Sequence, residues 1–75
     1  MSRRRSQYLP LDAYRKIEGP ELLKALGEAR HKLTRTRIPL GSPDYHVASA
    51  IIARIDDMAE LLTGYRTHFH LKMHS

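Results

Sequence analysis

The sequence predicts an all-α fold: a short N-terminal helix, then an antiparallel two-helix hairpin completed by homodimerisation, with an extended C-terminal tail. Three observations carry this expectation. Apolar residues recur at helical spacing through two long windows of the chain. Proline and a following acid stand at the start of each window, at Pro20-Glu21 and Pro43-Asp44. Strand-like alternation is confined to residues 65–75, where this chain supplies no second strand to pair with.

Residues 1–9 read as a flexible basic arm, and residues 10–64 as the helical domain. After Pro10, Leu11, Tyr14 and Ile17 recur every three residues, with Asp12 in the first turn. This spacing predicts a helix over about 11–18 that ends at Gly19.

Gly19-Pro20 is a break followed by a start, because the missing N–H of a proline has no intrahelical partner in the first turn. Leu22, Leu26, Ala29 and Leu33 fall on one face, flanked by Leu23 and Arg30. Glu21 suits the positive end of the helix dipole, and Arg30, His31, Lys32 and Arg35 suit the negative end. The second helix is placed at about 20–36.

Pro39 and Gly41 interrupt the pattern between Ile38 and Ser42. Ser42-Pro43-Asp44 then supplies an N-cap, a proline at N1 and an acid at N2. Val47, Ala48, Ile51, Ile52, Ile55, Met58, Ala59 and Leu62 form the clearest stripe in the chain. Gly64 suits the left-handed position that closes a helix, so the third helix is placed at 43–63. In the tail, Tyr65, Thr67, Phe69 and Leu71 alternate with Arg66, His68, His70 and Lys72. An extended segment lying across the helices is expected there, with pairing to a second copy as the alternative.

At ~100° per residue, the apolar positions of the third helix cover nearly half its circumference. One amphipathic partner helix covers less than that. The expected core and self-association surface is Leu22, Leu26, Leu33, Val47, Ile51, Ile52, Ile55, Met58 and Leu62. A homodimer of two hairpins is the leading arrangement, and a three-helix monomer with the tail filling the gap is its rival.

Composition narrows the function classes. Leu, Ile, Val and Phe make up 17 of 75 residues, just above the ~20% below which disorder is the better expectation. The core is therefore thin. Without cysteine there is no disulfide framework and no thiolate ligand or nucleophile. A reducing, cytoplasmic setting is the simpler expectation. Ser2 to Ala13 lacks the apolar core of a secretory signal, and Val47 to Ala53 is far too short to span a membrane. Residues 1–37 carry net charge +6 and residues 38–75 net −1. That asymmetry fits a solvated basic surface or one suited to an acidic partner.

Candidate chemistry is sparse. His68, His70 and His74 cluster, but no single backbone conformation satisfies both the i,i+2 and i,i+4 spacings, and a structural zinc site wants four ligands. Neither a metal nor another cofactor is expected, although a pH-sensitive contact through these histidines remains open. Asp56 and Glu60 are expected on the outer face of the third helix, with Arg54 pairing with Asp57 at i,i+3. Ser42 is better used as a cap than as a nucleophile, and the isolated Gly27 and Gly41 make no phosphate loop. No enzyme is expected.

The run from Glu21 to Arg35, through Leu26, Gly27, Arg30, Leu33 and Arg35, resembles the helix-turn-helix pattern of bacterial DNA-binding proteins, including the Fis-like group. The resemblance implies a turn at Leu26-Gly27 and a recognition helix over 29–37. Glu28 stands where that pattern has a buried Val or Ile. The competing expectation is one continuous helix, because the apolar stripe crosses Gly27 without a change of phase.

The leading expectation is a small non-enzymatic regulator or adaptor that acts by macromolecular contact through an amphipathic helical surface. Its partners would be a second copy and another protein or a nucleic acid. The alternative is a DNA- or RNA-binding protein using segment 30–37 and the N-terminal arginines, with Arg3, Arg4, Arg5, Arg30, Lys32, Arg35 and Arg37 as contacts.

Overall fold

A computed structural model describes residues 9–72 of the chain. Four helices follow in order: α1 (Leu11–Ile17), α2 (Gly19–Arg35), α3 (Pro43–Thr63) and α4 (His68–Lys72). No strand occurs among the described residues. None of the helices is long and apolar enough to cross a membrane. Arg3, Arg4, Arg5 and His74 lie outside the described residues.

A single residue joins the first two helices. Glu18 accepts the Leu22 amide at 3.0 Å and donates its own amide to the Tyr14 carbonyl at 2.8 Å. It therefore ends α1 and starts α2. α2 then runs unbroken through Gly27 to Arg35. The turn implied by the helix-turn-helix resemblance is absent, because the backbone ladder loses nothing at a glycine that the flanking leucines hold in phase.

The α3 boundaries follow from local chemistry. The Ser42 hydroxyl oxygen accepts the Tyr45 amide at 3.0 Å, one of the N–H groups that a helix start leaves without an intrahelical partner. At the other end Gly64 adopts φ 89°, and its amide donates to the Glu60 carbonyl at 2.7 Å. That left-handed conformation is strained for any residue with a Cβ.

α2 lies along α3. Gly19, at the start of α2, packs near Leu62 at the end of α3, where an added Cβ would sit 3.6 Å from Cδ2. Leu33, late in α2, lines a cavity with Ala48, early in α3. The core is Ile55, Ala59 and Phe69, with Leu23, Leu26 and Leu33 packed against it. It is thin, as the composition implied: among the described residues no large side chain is fully buried. The Cα radius of gyration is 15.1 Å, against about 11 Å for a compact chain of this length.

Two expectations are corrected here. The tail is not extended over 68–72 but turns into α4, which packs on α3. Period-two alternation in so short a segment is also compatible with one helical turn, and burial of Phe69 decides between them. Asp56 does not face outward and is only 6% exposed. α4 covers a second side of α3, so the buried arc is wider than α2 alone would make it.

Candidate functional site

Arg30 of α2 and Asp56 of α3 form a forked ion pair. Arg30 Nε donates to Asp56 Oδ1 at 2.9 Å and Nη2 to Oδ2 at 3.3 Å. α4 brings His70 to the same carboxylate, with Nε2 3.3 Å from Oδ2 and 3.0 Å from Arg30 Nη2. One ring nitrogen cannot serve both neighbours. Bare, it accepts from Arg30; protonated, it donates to Asp56. Burial alone would raise the Asp56 carboxyl. The Arg30 and His70 hydrogen bonds and charges outweigh it and hold the group below the ordinary carboxylate range.

Arg30, one of the expected nucleic-acid contacts, is half-buried with its guanidinium held against Asp56. A sequence shows its charge but not its partner, which lies in a separate helix. Lys32, Arg35 and Arg37 are exposed, and none of them forms an ion pair among the described residues.

A second cluster lies on the outside of α3. Arg54 Nη2 pairs with Asp57 Oδ2 at 3.1 Å, as the i,i+3 spacing implied. Arg66, just beyond α3, also donates to Asp57 and approaches Glu60 Oε1 at 3.9 Å. The Arg66 hydrogen bond lowers the Asp57 carboxyl and raises the Arg66 guanidinium.

The expected core and interface residues separate into two sets. Ile55 is buried, while Leu22, Leu26, Leu33, Ile52, Met58 and Leu62 are half-buried. Val47 and Ile51 are 59% and 43% exposed, and so is Leu61, at 58%, which the stripe did not include. Val47, Ile51, Arg54, Met58 and Leu61 follow one another at intervals of four, three, four and three. That spacing makes one straight seam along a helix, the seam used in paired helices. Near its start, Val47 and Ile51 join Leu33 and Ile38 around an open cavity of about 430 Å³.

On the other side of α2, a groove of about 510 Å³ lies between α2 and α4. Leu23, Gly27 and Phe69 form its apolar part, with Lys24, His31 and His68 around them. An added Cβ at Gly27 would stand 2.9 Å from Phe69 Cε1. The mid-helix glycine therefore lets the ring sit against the α2 backbone, which the sequence pattern alone did not show.

Among the described residues no group of three or more His, Asp or Glu could hold a metal ion. The Ser42 hydroxyl donates to the Pro39 carbonyl at 2.8 Å while it caps α3, so both of its roles are structural. Comparison with family models, with curated proteins and with solved structures gave no match.

Proposed function

We propose that this chain is a small non-enzymatic adaptor or regulator acting by macromolecular contact, and that the outer seam of α3 joins two copies into a homodimer of α2–α3 hairpins. The seam of Val47, Ile51, Arg54, Met58 and Leu61 is the observation that carries the reading. Val47, Ile51 and Leu61 are exposed in the single chain and Met58 is half-buried, and exposed apolar surface of this kind marks interfaces. Arg54 does not oppose the pairing, because Asp57 on its own helix balances its charge. The open shape and thin core also support a fold that gains apolar burial on association. The non-enzymatic part rests on the chemical groups themselves. Asp56 is committed to Arg30, and Ser42 to the α3 cap.

Light scattering after gel filtration tests the dimer. A mass at twice 8.7 kDa is expected, and a single-chain mass at high concentration overturns it.

A second reading, nucleic-acid binding, is favoured by exposed Lys32, Arg35 and Arg37 at the end of α2. Binding to random DNA that weakens steeply with salt and is lost when these three become Ala supports it. No retardation at low salt removes it.

A further inference from the structure

The seam of α3 is close to symmetric about Arg54. Val47 and Leu61 lie seven residues to either side of it, and Ile51 and Met58 three and four. We infer that the seam packs against the same seam of a second copy running antiparallel, with Arg54 on the two-fold axis, Val47 beside the partner's Leu61 and Ile51 beside the partner's Met58. This pairing rests on the self-association proposed above and gives it a direction. Such a contact closes on itself, because each copy offers and receives the same pairs.

A parallel pair would also join the two seams, so the direction is set by what differs between the ends of α3. The N-terminal end carries a hollow. Leu33, Ile38, Pro43, Val47 and Ile51 border about 430 Å³ of open space there. Val47 and Ile51 belong to both hollow and seam, so the hollow opens along the seam. At the C-terminal end α2 comes close, because Gly19 has no side chain to hold it off Leu62. Leu61 projects there as an exposed side chain. Antiparallel pairing lays the partner's Leu61 at the height of the hollow and takes apolar area of both copies out of water. Parallel pairing opposes hollow to hollow and leucine to leucine.

Charge favours the same direction. Asp44 borders the hollow, is exposed, and makes no ion pair among the described residues. With Arg54 on the axis, Asp44 is level with the partner's Gly64, two residues before the partner's exposed Arg66. A parallel pair would set Asp44 against its own copy. It would also gather exposed Lys32, Arg35 and Arg37 of both copies at one end. Near the axis, Asp57 follows Arg54 by about 4.5 Å along the helix. Antiparallel pairing therefore brackets the two Arg54 side chains with one Asp57 on each side, whereas parallel pairing puts both carboxylates on the same side. Antiparallel helices also set opposite dipole ends next to each other.

The chain has no cysteine, so Val47→Cys and Leu61→Cys each introduce a single thiol. Both positions are exposed, and circular dichroism checks that each variant keeps its helicity. Each variant alone, and an equimolar mixture unfolded in urea and refolded together, is treated with a short bismaleimide and run on a denaturing gel. Positions 47 and 61 are roughly 21 Å apart along α3, beyond the span of that linker. A linked dimer is expected in the mixture and in neither variant alone. A linked dimer in either variant alone overturns the proposal, because it places like positions together. A mixture without linked dimer also overturns it. Light scattering of the same samples separates the two failures. A single-chain mass removes the self-association and this pairing together, and a dimer mass without the mixed link removes only the antiparallel direction.

Discussion

Arg30 and Asp56 meet across α2 and α3 through two parallel hydrogen bonds, and this fork is the main polar tie between the long helices. A buried pair adds little net stability over a well-packed apolar pair, yet breaking one side leaves an uncompensated charge. Arg30→Met alone should therefore cost about 1–3 kcal/mol, because His70 stays beside the Asp56 carboxylate. The double substitution Arg30→Met with Asp56→Leu should recover most of that loss. Urea denaturation of the single and double variants measures both, and a double variant no better than the single one contradicts the account.

The same pair sets an acid limit on the fold. Asp56 is held below its ordinary value of 3.8 in the folded chain, so the unfolded chain binds its proton first as pH falls. The stabilisation is fully present above the unfolded value and is lost as pH falls through the lower, folded one. Urea midpoints should accordingly drop on acidification below about pH 4. Asp56→Asn should flatten much of that dependence. Asp57→Asn should change it little, because the ion pairs of Asp57 are solvent-screened.

Gly27 and Phe69 make a prediction of opposite signs. Alanine is worth about 1 kcal/mol over glycine inside a helix. With Phe69 in place, the added methyl meets the ring, so Gly27→Ala should lower the melting temperature. In a Phe69→Ala background the obstruction is gone, and the same substitution should raise it. Thermal unfolding of the four combinations shows whether the sign reverses. Phe69→Ala alone should cost about 3 kcal/mol.

The α3 seam is testable without harming the core. Ile51→Glu with Leu61→Glu alters two exposed positions, so helicity by circular dichroism should persist while the dimer mass falls to one chain. Ile55→Asp should instead unfold the chain, since Ile55 is buried in the core. Retention of the dimer in the Ile51/Leu61 variant places the contact elsewhere.

Ser42→Ala should cost about 1 kcal/mol through loss of the α3 cap. Urea denaturation gives the value, and an unchanged midpoint would mean that the Tyr45 amide finds an equal partner in water.

What could be read from the chain was local. Ser42-Pro43-Asp44 and Gly64 bound α3 by short-range chemistry, and the leucines of α2 carried that helix through Gly27. The limits of α1 and α2 fell within one residue of those expected. What escaped was set by contacts between distant residues. Nothing near Asp56 in sequence announces Arg30, twenty-six positions away. Phe69 looked like one member of an alternating tail because its seat is made by Gly27, on another helix. The seam position Leu61 was passed over for Leu62, its neighbour on the side facing Gly19.

The notch at Gly27 also acts as a stop on a ruler. α2 contains glycine only at its first residue and at position 27. Were α4 to slide about one turn along α2, the ring would meet Leu23 in one direction or the bulk around Arg30 and His31 in the other. Only one height admits the ring, and at that height His70 arrives beside Asp56. The chain gives up helix propensity at one position and gains a unique registration of its last helix.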